Sequence, residues 1–200
     1  MITRDQALEF LNQQIENENI KKHMYATEAI MRALARYFLD QGKIQPRPGQ
    51  TAEQLIEEWG LAGLLHDADY TPDTPPSQQG VKVSRLLEEA GYQISEEMKH
   101  CMAAHNSETG VKPQSLMDWS LFCCDSLTGL IVATTLVHPD KKLSSIKVKS
   151  VLKKFKDKAF ARGTRREDIA MCETQLGIPL PDFVELSLKA MQGIASDLGL

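Results

Sequence analysis

From Trp119 to Val137 the chain runs for 19 residues with a single charged side chain, Asp125. A run of that length matches a bilayer, so it is either a membrane span or a helix buried in a protein core. A carboxylate at the centre of a bilayer costs about 2.5 kcal/mol or more. Ser120, Ser126, Thr128, Thr134 and Thr135 add further polar groups. The run therefore reads as a buried helix of a soluble protein, capped by Ser115, and no membrane is expected. Its end, Leu130–Val137, is rich in β-branched residues, but the chain offers no partner strands, so it stays helical. A buried carboxylate needs a partner or a metal, which singles out Asp125.

The remaining punctuation predicts an all-α fold. Thr3 with Gln6 is a capping box for a helix to about Glu16, and Thr51 with Gln54 starts another to about Asp67. Asn19 is expected to cap a helix to about Leu39, with Ile20, Met24, Ile30, Met31, Leu34 and Phe38 at helical spacing. A helix over 81–90 ends at Gly91, and Ser95 caps one to about His105. Thr164 with Glu167 gives a third box, Gly177 ends that helix, and Asp182 starts the last. The proline-bearing stretches 40–50 and 71–80 are loops. Two hundred residues suit one core, so residues 1–200 are expected as one domain, with the helices from about 141 packing on it. Cys101, Cys123, Cys124 and Cys172 form no CxxC and read as buried hydrophobes, and Met1–Asp5 lacks an apolar leader. A reducing cytoplasm is the expected compartment.

The informative polar residues are His23, His66, His100, His105 and His138. A lone histidine on an apolar face is usually a hydrogen-bonded core residue. Here several helices carry one ligand-type residue each on such a face. His23 shares a stripe with Thr27, Ile30 and Leu34; His66 with Trp59, Ala62 and Gly63; Asp125 with Leu121, Phe122 and Val132. Asp67 follows His66 directly. If those faces meet, two imidazoles and two carboxylates meet with them. That donor set suits a divalent ion such as Mn²⁺, Fe²⁺, Co²⁺, Ni²⁺ or Zn²⁺, with Mg²⁺ a further candidate. His100 lies five residues before His105 and cannot share its helix face, and His138 sits before Pro139 in a loop.

The order His23, then His66-Asp67, then Asp125 resembles the H…HD…D signature of HD-domain metal-dependent phosphohydrolases. The flanks Lys22-His23-Met24, Trp59 to Asp67, Ala104-His105-Asn106, Asp125 to Gly129 and Glu185 to Leu200 resemble a subgroup of HD-superfamily hydrolases of similar length. The resemblance implies a helical bundle around a metal held by His23, His66, Asp67 and Asp125, with Asp67 bridging to a second ion where one exists. His105 would lie beside the site as a further ligand or phosphate contact. Gln79 stands where a further histidine would be expected for a binuclear site, and glutamine is a poor ligand for these ions.

The implied activity is hydrolysis of a nucleotide or other small phosphate ester. A divalent ion lowers the pKa of a water it holds from 15.7 to about 7. A general acid is also needed. Asp69, two residues past the HD pair, is the candidate, or else a turn former before Tyr70-Thr71-Pro72. Residues 141–166 hold eleven Lys or Arg against the single acid Asp157, a net +10 in a chain whose total is −4. Most of these cations read as a solvated face; Lys147, Arg162 and Arg165 are the expected phosphate contacts. The acidic total and the lack of aromatics beyond Phe155 and Phe160 argue against nucleic acid as the partner. The alternative is a non-catalytic HD module with a structural metal or a nucleotide-sensing pocket. The signature separates neither monoesterase from diesterase nor one oligomeric state from another.

Overall fold

A computed structural model describes residues 1–200 as ten α-helices without strands. Helix α1 (Arg4–Gln14) and α3 (Ala52–Leu65) begin at the two expected capping boxes, Thr3 with Gln6 and Thr51 with Gln54. Helix α2 (Glu18–Asp40) is capped by Asn17, whose side chain takes the Asn19 N–H; the expected cap, Asn19, is the capped residue. Helix α3 stops at Leu65, so His66 and Asp67 lie just past its last turn. Helices α4 (Lys82–Glu89) and α5 (Glu96–Ala104) follow, the second capped by Ser95.

Helix α6 (Leu116–Leu136) is the apolar run, helical to its β-branched end and started by a Ser115–Asp118 capping box. It is long and apolar enough to cross a membrane by length and composition. Its core residues Leu121, Cys123, Cys124, Leu127, Leu130 and Ile131 are fully buried, and it packs against α2, α5, α7 (Val148–Lys156), α8 (Arg166–Met171) and α9 (Leu180–Gln192). Helix α10 (Ala195–Leu198) closes the chain against α2. One contiguous apolar core runs from Ile2 to Leu198, so the helices after residue 141 share it.

The third capping box does not form. Arg165 takes the position before α8 and gives no side-chain cap, since a guanidinium has no acceptor; it pairs with Asp125 and Asp168. Helix α8 passes into a π turn, Cys172–Leu176, which Gly177 ends at φ +66°. Helix α9 begins at Leu180, two residues before Asp182.

Close approach of α3 to α2 positions the site. A Cβ at Gly63 would lie 2.9 Å from the Thr27 carbonyl and 3.0 Å from the Glu28 nitrogen, so only glycine lets the helices meet there. That contact brings the end of α3 beside the second turn of α2, where His23 sits.

Candidate metal centre

His23 from α2 and His66 and Asp67 from the end of α3 form one donor cluster, and Asp125 from α6 reaches its two imidazoles. His23, His66 and Asp67 each bring a donor atom within 4.8 Å of the other two. The His23 and His66 Nε2 atoms are 3.2 Å apart. Asp67 Oδ2 lies 3.8 Å from the first and 3.5 Å from the second. Asp125 Oδ1 lies 3.0 Å and 3.7 Å from the same two atoms.

The outer hydrogen bonds decide what these atoms carry. His66 Nδ1 donates to the Gly63 carbonyl at 2.8 Å, which leaves Nε2 with its lone pair in a neutral ring. Thr128 donates its hydroxyl proton to the Asp125 carbonyl at 2.7 Å, so its oxygen accepts from His23 Nδ1 at 2.8 Å. His23 Nε2 is then a lone pair too. Two lone pairs and two carboxylates face one another, an arrangement that calls for positive charge: a proton on the rings, or one divalent ion. Ligands about 2.1 Å from a common ion sit about 3.0 Å apart at right angles and about 3.4 Å apart at tetrahedral angles. Of the observed separations, 3.0 and 3.2 Å fall in that range, and 3.5, 3.7 and 3.8 Å lie just beyond it.

Burial opposes charge on Asp67, but with no ion bound and the rings protonated, the charge on His66 and the hydrogen bond from His105 outweigh it and bring the carboxyl down to about 2. Burial opposes charge on Asp125 too, and in that state His23 and His66 likewise hold it well below the usual carboxylate range. His105, buried at the end of α5, faces acceptors on both ring nitrogens: the Met102 carbonyl, and Asp67 Oδ1 at 3.2 Å. Burial alone would lower its pKa; the bond to Asp67 reverses that and raises it.

His23, Asp67, His105 and Asp125 line a cleft of about 400 Å³, with His66 buried beneath it. The segment 161–165 walls it, bringing Arg162 and Arg165, and Arg165 donates to Asp125 Oδ2 at 2.8 Å. Arg166 builds this wall. Its guanidinium collects the carbonyls of Phe155, Asp157 and Phe160 at 2.6 to 2.9 Å and so bends the loop back on α7. Ala161 takes a left-handed φ of +46° within that bend.

Two of the sequence-derived residues fall elsewhere. Lys147 is exposed at the start of α7 and does not line the cleft. Asp69, the expected acid, does not line it either. It is 1% exposed, and its carboxylate accepts the Gly80 N–H at 2.9 and 3.0 Å and the Val83 N–H at 2.8 Å, which ties the 70–80 loop and the first turn of α4 in place. Burial pushes its pKa up against those two donors. His100 bonds Asp118, which also caps α6, and His138 bonds Asp140. The sequence reading missed Thr128, although it stands three residues after Asp125 on the same helix face. It also missed Tyr70, which lines the cleft together with Gln79. Comparison with protein-family models, curated proteins and solved structures finds no match to this chain.

Proposed function

We propose that this chain is an HD-type metal-dependent phosphohydrolase acting on a nucleotide or another small phosphate ester. The cluster of His23, His66 and Asp67, with Asp125 against both imidazoles, carries the reading. His23, His66, Asp67 and Asp125 would hold one divalent ion. Bound there, the ion supplies an acidified water and a Lewis acid for the phosphoryl oxygen.

The chain's own groups do the rest. Arg162 and Arg165 stand at the rim of the cleft and take up the charge of the phosphate. The Gly63 carbonyl and Thr128 hold the two imidazoles with Nε2 inward. His105 lines the cleft and keeps a proton on Nε2 against Asp67, so in this reading it takes the acid role expected of Asp69. Four buried, unpaired cysteines suit a reducing cytoplasm.

Phosphate release from nucleotides and phosphorylated metabolites, with Mn²⁺, Co²⁺, Ni²⁺ or Mg²⁺ added, tests this beside Asp67→Ala. Metal-dependent turnover that disappears in a folded Asp67→Ala protein supports the hydrolase. Global unfolding of that variant favours a structural metal in a non-catalytic module. A folded wild-type protein inactive on mono- and diesters with every ion sinks the proposal.

A further inference from the structure

A second groove adjoins the cleft, the two sharing a pair of lining residues, Tyr70 and Gln79. The groove, of about 600 Å³, lies beside the end of α1 and the start of α2. The two ends differ in chemistry. The first has Arg162 and Arg165 beside Asp67 and Asp125, whose charge a bound divalent ion would offset. The second has no cation; Glu16 is its one charged residue, and the amides of Gln13, Gln14 and Asn17 line it. A phosphate dianion is favoured at the first end and disfavoured at the second. A neutral group that both donates and accepts hydrogen bonds has the reverse preference.

Gln79 marks the junction, and its amide has a fixed sense. Its Oε1 accepts from Asn106 Nδ2 at 2.8 Å. Asn106 is itself held, its Oδ1 taking the Glu108 N–H at 3.0 Å and its Nδ2 reaching the Pro76 carbonyl at 3.3 Å. The oxygen of Gln79 thus faces Asn106, and its NH₂ remains to donate. Tyr70 is 49% exposed at the same junction, an aromatic side chain against which a bound ring could pack.

We infer that the second groove is the leaving-group subsite, and that the substrate is a phosphate ester of a neutral polar ring, a nucleoside or a sugar. The Gln79 NH₂ donates to that group, and Tyr70 packs against its ring. Which end reacts rests on the phosphohydrolase reading; the preference for a polar ring rests on the groove.

The test compares AMP, UMP and glucose phosphate with ethyl phosphate, each with Mn²⁺, in wild type, Gln79→Leu and Tyr70→Ala, with folding checked by circular dichroism. Gln79→Leu nearly keeps side-chain size and removes the donors. The preference for the ring-bearing ester over ethyl phosphate, read as a ratio of kcat/KM, should fall about tenfold, the worth of one hydrogen bond. Tyr70→Ala should lower the same ratio. The ester that carries the effect names the ring. A ratio unchanged in both variants overturns the inference and leaves the hydrolase standing. If wild type turns nothing over, the hydrolase reading fails by itself, and calorimetric titration with AMP and glucose phosphate decides the inference. Weaker binding in Gln79→Leu then supports it; equal or absent binding overturns it.

Discussion

Helix α2 carries two polar clusters five residues apart, and they are balanced in opposite ways. Around Glu28 the charges close on themselves. Arg4 grips both oxygens of Glu28 at 2.7 and 3.0 Å, Arg32 adds bonds at 2.9 and 3.0 Å, and Arg32 also reaches Glu57 at 2.7 Å. Two cations meet two carboxylates, and nothing further is called for. Around His23 the acceptors outnumber the protons, and the one fixed cation, Arg165, reaches Asp125 from the rim. A buried charged cluster is thus no sign of function by itself. A cluster whose hydrogen-bond count does not close is one.

Removing a donor should break that contrast most. Asp125→Ala should lower the proposed hydrolysis by about a thousandfold or more, near 4 kcal/mol of barrier. Mn²⁺ at about a hundred times its Kd should stabilise wild type by about 2.7 kcal/mol in thermal unfolding, and this increment should be absent from Asp125→Ala. An equal increment in both proteins would place the ion elsewhere.

Glu28→Gln attacks the closed cluster. Glu28 is 3% exposed, so its loss strands Arg4 and half of the Arg32 network. Arg32 keeps Glu57 and Arg4 reaches solvent, so about 2–3 kcal/mol of stability should go rather than the full cost of an orphaned buried charge. Urea unfolding reads the loss. The Mn²⁺ increment should survive, because the donors are untouched; its disappearance would mean the two clusters are one unit.

A gentler change separates orientation from coordination. Thr128→Val keeps the shape and removes the oxygen that accepts from His23 Nδ1. Such outer-shell losses cost roughly 10–100-fold in metal affinity, so Mn²⁺ binding should weaken by that much with unfolding nearly unchanged. Unaltered affinity would show that His23 needs no orienting partner.

What the sequence showed and what it hid follow from the range of the interactions involved. The boxes at Thr3 and Thr51 and the Ser115 cap were legible because a cap is settled within four residues. The Thr164 box failed because distant carbonyls claim Arg166 and Asp125 claims Arg165. His23, His66, Asp67 and Asp125 stood out because each interrupts an apolar face, and the structure brings them together. The task of Asp69 was invisible, since its partners are backbone amides 11 and 14 residues on. Within a run of eleven cations nothing local separates Lys147 from Arg162; only the path of the loop after α7 puts one on the surface and the other in the cleft.

The smallest effect tests whether the closed cluster is held by charge or by shape. The hydrogen bond from Arg32 holds the Glu57 carboxyl below its ordinary value of 4.5. A carboxyl lowered by folding adds stability above its unfolded pKa and gives it up as pH falls through the folded value. Glu57 is 37% exposed, which screens the pair, so its worth at neutral pH is about 0.5–1 kcal/mol. Glu57→Gln should therefore be less stable than wild type by that margin at pH 7, and the gap should shrink as the pH drops below 4.5. A gap at about pH 3 as large as at pH 7 would assign the contribution of Glu57 to packing against Arg32. The Glu28 cluster would then be a steric fixture, and its contrast with the His23 cluster would no longer rest on charge balance.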